Sequence, residues 1–266
     1  MKYGLIHYNA PGGTVEEFLD YAAGAGFGHV ELQIGDVWTE GEAQPEGRAE
    51  RVRAEVKARG LTVSALAAGN DFVVLEPEVV AAQVARMKRV CELARLLGTD
   101  VIRTEGGSPK DGVPEERWVE AMAGCLKRCL EFAEPMQLQL AVDNHGWVTN
   151  NGELQVELFQ RVGSPWVGAN LDTMNYRWFG HELETIDHYY EIVAPYTFHT
   201  HLKDGTGARE QYVGAALGEG EIHLAHAVDC LRKAGYDGVW CAEFEGRGDT
   251  GDGYRRCLAW MNGNVR

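Results

Sequence analysis

An α/β fold, a closed (β/α)8 barrel in a single domain over residues 1–266, is what this sequence predicts, on three observations. Eight short β-type runs alternate with helix-period segments, the pattern of a parallel sheet. Glycines stand where helices hand back to strands, in AGAGFGHVEL, ARGLTVSAL, LLGTDVIRT and KAGYDGVWC. The length of 266 residues is near the roughly 250 typical of such barrels, and a hydrophobic fraction of 45% supports a large core.

The β-type runs fall at residues 2–8, 29–34, 61–66, 100–104, 138–143, 166–172, 197–202 and 238–243. The first helix opens at Thr14, an N-cap followed at the capping-box position by Glu17. RAERVRAEVKARG interleaves its basic residues with Glu and reads as the solvated face of a helix. Residues 78–97 set Val80, Val84, Met87, Val90, Cys91 and Ala94 at helical spacing, and residues 115–134, 153–161, 182–194 and 223–234 supply further helices. WTEGEAQPEGRAE and GRGDTGDG are too short for linkers and fit loops or helix ends. An open doubly wound sheet would want a phosphate-cradling glycine loop after the first strand, and Asn9-Ala-Pro-Gly-Gly is not one. Gly24-Ala-Gly26-Phe-Gly28 follows a helix and precedes a strand, the reverse of a dinucleotide loop, so it reads as a helix C-cap. No nucleotide cofactor is expected.

The net charge of −15, with no basic stripe, argues against a nucleic-acid partner. No run reaches the roughly 18 apolar residues of a membrane span, so no membrane is expected, and MKYGLIHYN does not read as a secretory leader. The six cysteines lack metal-finger or disulfide spacing; Cys125 and Cys129 share one helix face, and buried free thiols are the reading. A reducing, cytoplasmic setting is expected.

The chemistry lies at the downstream ends of the last four β-type runs. LQLAVD, WVGANLD, FHTH and VWCAE end in Asp143, Asp172, His201 and Glu243. A lone Asp at a strand end is usually a helix cap or a turn residue. Four consecutive strand ends with such side chains, on one rim of a barrel, describe a site for one divalent cation. Oxygen donors with one imidazole and no thiolate suit Mn²⁺, Mg²⁺ or Co²⁺, and Zn²⁺ is compatible. Four protein ligands leave two positions of an octahedral shell for adjacent oxygens of a hydroxy-ketone. Supporting polar groups are His145, Asn175, Lys203, Asp204 and Glu245, with Glu31, Arg103 and Glu105 on other strands. Trp147, Trp178 and Phe72 are candidates for a pocket wall, with core packing as the alternative. His199 points to the face of His201, one layer deeper, as a hydrogen-bonded support. His181, His188, His223 and His226 fall on or beside helices and read as surface residues.

In these strand ends and the strings around them, the chain resembles the xylose isomerase-like TIM-barrel superfamily, in its sugar phosphate isomerase/epimerase group. The resemblance is carried by GFGHVELQ, GLTVSALAAGNDF, LAVDNHG, VGANLDTMN, HTHLKD, LGEGEI and GYDGVWCAEFE, which span nearly the whole chain. It implies one catalytic divalent metal on Asp143, Asp172, His201 and Glu243, and a small-molecule sugar substrate. The implied chemistry is proton abstraction next to a carbonyl, through an enediolate. Asp143 and Glu243 would remove and return the proton, with His145 as the alternative base. Asn175, Lys203, Arg103, Glu105 and Trp147 would contact substrate. The resemblance also implies homo-oligomers. Two positions depart from the family: Asp143 stands where Glu is usual, one methylene shorter, and Asn175 stands where ketose epimerases carry a substrate-contacting His.

Three other readings share these residues. A metal-dependent sugar lyase, cleaving C-glycosides or dehydrating an inosose-like ketone, begins with the same proton abstraction, and DNHG retains the histidine such C-glycoside enzymes use. An abasic-site endonuclease of the same superfamily would need three zinc ions and more histidines than Asn70 and Asn175 leave, on a chain whose charge of −15 repels DNA. A sugar binder without turnover is the reading that the shortened Asp143 keeps open.

Overall fold

Eight strands pair in parallel and close on themselves: β1 (Tyr3–Ile6), β2 (His29–Gln33), β3 (Thr62–Ala67), β4 (Val101–Thr104), β5 (Gln139–Asp143), β6 (Val167–Asp172), β7 (Thr197–Leu202) and, as the eighth, β10 (Trp240–Ala242). The computed structural model describes residues 1–265. The expected (β/α)8 barrel is therefore the observed one.

The helices α1 (Val15–Ala25), α3 (Glu46–Ala58), α4 (Pro77–Leu97), α5 (Trp118–Ala133), α6 (Gly152–Val162), α8 (Leu183–Val193) and α9 (Leu224–Lys233) separate the strands. Each turns an apolar face inward; α4 buries Met87, Val90, Cys91 and Ala94, as their spacing predicts. Thr14 caps α1 by accepting from Glu17 N, and Gly26 ends it at φ 95°, so the glycine string is a C-cap. The core lies between the barrel wall and this helical layer, with Phe18, Leu32, Leu66 and Phe244 among its buried side chains. At Gly168 a β-carbon would stand 2.1 Å from the Tyr196 carbonyl oxygen, so only glycine fits where β6 passes that chain segment.

Two features were not foreseen. A hairpin of β8 (Asp204–Thr206) and β9 (Val213–Ala215) is inserted after β7. A last helix, α10 (Thr250–Asn264), closes the described chain. Asp249, within GRGDTGDG, caps it by accepting from Asp252 N, and Tyr254, Cys257, Leu258 and Met261 form its buried stripe. Its glycines hide that stripe from a reading by propensity.

Register sets the levels inside the barrel. Asp172 pairs with His201, and His201 with Cys241. Asp143 pairs with Asn170, and Asn170 with His199. Asn170 lies two residues before Asp172, so Asp143 belongs to the row beneath the Asp172–His201 row. A register shift between Ala169 and Asn170 leaves Phe198 without a partner and brings His199 and His201 both into pairing with β6.

Candidate metal centre

Asp172, His201 and Glu243 each offer a ligand atom, and the three atoms lie within 4.8 Å of one another. All three side chains are buried at the downstream end of the barrel. Asp172 Oδ1 accepts from the backbone N–H groups of Met174 (2.7 Å) and Asn175 (2.9 Å), at the start of the short helix α7 (Asn175–Phe179). This fixes the carboxylate and leaves Oδ2 buried with no hydrogen-bond partner. His201 Nε2–H donates to Glu31 Oε2 at 2.6 Å, which turns Nδ1 toward Asp172 Oδ2 at 3.9 Å. Nδ1 also makes no hydrogen bond, although Glu243 Oε2 lies 3.0 Å away.

Below this level runs a continuous polar network. Glu31, fully buried, also accepts from Arg103 Nε at 2.8 Å. Arg103 Nη1 donates to Asp143 Oδ2 at 2.7 Å, and Asn170 Nδ2 donates to Asp143 Oδ1 at 3.0 Å. His199 Nδ1–H donates to Asn170 Oδ1 at 2.9 Å. Burial opposes the charge on Glu31, but His201 and Arg103 outweigh it and hold the carboxyl at about 2. Burial pushes the His199 imidazole down to about 4, which keeps it neutral. Burial pushes the Asp172 carboxyl up to about 7, against the pull of Lys203. Glu243 is held low: burial is outweighed by Lys203 and His201.

Above the cluster opens a cavity of about 230 Å³ lined by Tyr8, His145, Gly146, Asn175, Trp178, Lys203 and Glu245. Lys203 Nζ reaches Glu243 Oε1 (3.0 Å), Glu245 Oε2 (2.9 Å) and Asn175 Oδ1 (3.3 Å). It therefore takes the Glu243 oxygen that faces away from His201. Trp147 stands on the rim, 49% exposed, packed edge-on against Trp178 and Phe179 with the Arg209 guanidinium over its ring at 4.9 Å.

The structure thus brings Asp172, His201, Glu243, His145, Asn175, Lys203 and Glu245 to one place. Arg103 and Asp143 lie beneath it and bind each other. Glu105 is drawn to the same guanidinium, 3.7 Å from Nη1, and its backbone is clamped by Asn70. Phe72 is a core residue, 1% exposed. His181 is half-buried: Nε2 bonds the Asn150 carbonyl and the ring stacks on Phe179. Asp204 points away from the cavity and accepts from the N–H groups of Gly205, Gly218, Gly220 and Ile222. Tyr8 was not singled out from sequence; its place just past the first strand was the available signal.

These residues fit a divalent cation. The two orphaned atoms, Asp172 Oδ2 and His201 Nδ1, converge beside Glu243 Oε2, and a histidine whose other nitrogen is held by a carboxylate is prepared to ligate. Glu31, His201 and Cys241 also offer atoms within 4.8 Å, but Glu31 is already satisfied by His201 and Arg103. A larger cleft of about 430 Å³, lined by His7, Asp36, Arg48 and Arg51 among others, contains none of these orphaned atoms.

A family model described as xylose isomerase-like TIM barrel matches residues 19–263. No curated protein matches the sequence. Among solved structures, D-psicose 3-epimerase from Clostridium cellulolyticum H10, crystallised with D-tagatose, superposes with a TM-score of 0.82 at 14% identity, covering 100% of both chains. The IOLI protein with a bound zinc atom gives 0.83 at 16% identity, covering 100% of this chain and 98% of that one. The probable 3-DHS dehydratase AsbF from Bacillus anthracis gives 0.75 at 15% identity, covering 98% and 99%. At these identities the likeness shows the fold.

Proposed function

We propose a function from one premise: the chain belongs to the xylose isomerase-like TIM barrel family. It is a divalent-metal-dependent sugar or sugar phosphate isomerase or epimerase, which removes a proton from the carbon beside a carbonyl and returns it. One observation carries this reading. Two buried ligand atoms without hydrogen bonds, Asp172 Oδ2 and His201 Nδ1, converge beside Glu243 under a cavity at the end of the barrel where such folds place their chemistry.

Asp172, His201 and Glu243 hold the metal, with Asp143 the fourth candidate. Mn²⁺, Mg²⁺ or Co²⁺ suits these donors, and Zn²⁺ is accommodated. When bound, the metal supplies a Lewis acid for a carbonyl and its neighbouring hydroxyl. Glu243 handles the proton from the strand-eight side. Of the two strand-five candidates, His145 lines the cavity, whereas Asp143 is bound by Arg103 and Asn170. Lys203 and Asn175 orient substrate hydroxyls, and Trp178 walls the cavity. At about 230 Å³ it is below the roughly 300 Å³ at which drug-sized sites begin, in keeping with a small sugar. The likeness to a ketose 3-epimerase and to a zinc-bound relative supports the reading.

The test is proton exchange. Ketoses incubated in D2O with protein and Mn²⁺ should lose a carbon-bound proton signal by NMR, and Asp172→Asn protein should leave every signal intact. No exchange with any ketose would leave a sugar binder. The position of His145 on the cavity wall favours one second reading, a lyase using the same first step; loss of water or of an aglycone in the same spectra identifies it.

A further inference from the structure

We infer that Asp143 stands outside the metal's coordination shell, so that this chain holds its cation with three side chains, Asp172, His201 and Glu243, and leaves three positions to oxygens from the cavity. The inference rests on the metal reading above. Three independent observations carry it.

The first is register. Asp143 pairs with Asn170, not with Asp172, and so lies in the row beneath the cluster. An aspartate lacks the methylene that would lift a carboxylate from that row into the next. The second is partnership. Both oxygens are engaged, Oδ2 by Arg103 Nη1 at 2.7 Å and Oδ1 by Asn170 Nδ2 at 3.0 Å, whereas Asp172 Oδ2 and His201 Nδ1 make no hydrogen bond. Coordination by Asp143 would break a buried ion pair and leave Asn170, itself held by His199, with an unmatched N–H. The third is distance. The atoms of Asp172, His201 and Glu243 converge within 4.8 Å, and Asp143 is not among the residues that join any such group among the described residues.

The charge agrees. Two carboxylates and a neutral imidazole balance a divalent cation, and the charge of Asp143 is already met by the Arg103 guanidinium. A third coordinating carboxylate would take from the buried Arg103 guanidinium its partner at 2.7 Å, leaving Glu31 at 2.8 Å and Glu105 at 3.7 Å. The consequence for the reaction is a metal more open toward the cavity.

Mn²⁺ titration of the full-length protein, read by the EPR signal of free Mn²⁺, decides this. Asp143→Asn should weaken binding by about tenfold or less, because the charge it removes is already paired, while Asp172→Asn should cost on the order of 100-fold or more. Equal losses in the two variants overturn the inference while leaving the metal reading intact. Wild-type protein that takes up no Mn²⁺ overturns both. Should Asp143→Asn not fold, water-proton relaxation on the wild-type Mn²⁺ complex gives the answer. Three coordinated waters support a three-ligand site, and two refute it.

Discussion

Replacing Glu31 with Gln perturbs the floor of the proposed metal centre without changing its shape. The carboxylate accepts from two buried donors, His201 Nε2 at 2.6 Å and Arg103 Nε at 2.8 Å. The amide has one oxygen, so its NH2 must face one of those donors. Removing one partner from a buried ion pair typically costs about 3–5 kcal/mol. Here Arg103 retains Asp143 at 2.7 Å and the His201 ring remains beside Glu243, which places the loss at the lower end, about 3 kcal/mol. For a chain of 266 residues this lowers Tm by about 6–12 °C. The metal suffers separately. With Nε2–H no longer held by a charge, the ring's orientation and tautomer relax, and affinity should fall by about 10- to 100-fold. Thermal melts followed by circular dichroism and Mn²⁺ titration by EPR measure the two effects independently. A variant that melts within a degree or two of wild type and binds Mn²⁺ equally well would refute the claim that Glu31 orients His201.

Three further outcomes are expected. Asp204→Ala removes the acceptor for four backbone N–H groups of the segment after β7, and should cost about 3 kcal/mol in urea denaturation with new proteolytic cleavage between residues 205 and 222; an unchanged digest would count against this role. Gly168→Ala forces a β-carbon against the Tyr196 carbonyl at 2.1 Å and should lose about 1–3 kcal/mol, so a denaturation midpoint at the wild-type value would contradict the close approach. All six thiols are buried, and burial pushes those of Cys91, Cys125 and Cys257 to about 12, 11 and 11. Ellman's reagent at pH 8 should therefore react rapidly with at most Cys230, the one beside a surface cleft, and with six thiols only in denaturant; several fast thiols in native protein would be inconsistent with the core described.

The barrel was legible because its signals are local: the alternation of runs, the glycine C-caps and the apolar stripes of α4 and α5 each occupy one stretch of chain. The convergence of Asp172, His201 and Glu243 was legible for a related reason. Strand ends of a parallel barrel share a rim, so position in a run translates directly into position in space. The level of Asp143 was not legible. All four residues end a run, yet the pairing of β5 with β6 places Asp143 opposite Asn170. Register between strands is a property of two segments at once, and nothing within LQLAVD records it. The partners of Asp143 were legible only in part: Arg103 and Glu31 stood out as polar groups at strand ends, but nothing in VIRTE, 40 residues from Asp143, assigns the guanidinium to Asp143 and Glu31 rather than to substrate.

The strings HLKD and LGEGEI, which lie in sequence on either side of the inserted hairpin, are coupled by one physical device. His201 and Lys203 of HLKD face the site, while Asp204 reaches across to the N–H groups of Gly218, Gly220 and Ile222, within or next to LGEGEI. At Gly220 a β-carbon would stand 2.1 Å from Asp204 Oδ1, so a side chain there would displace the carboxylate. Glu221 of the same string accepts from Arg177 Nε at 2.6 Å, fastening the segment to α7, whose first N–H binds Asp172. Asp172 of β6 and His201 of β7 are thus both anchored to one loop. A change in LGEGEI that touches no substrate should therefore disturb Asp172 and His201 together, which makes Glu221→Ala a remote perturbation of metal affinity: weaker Mn²⁺ binding with an intact fold is the expected result, and unchanged binding would show that α7 holds Asp172 unaided.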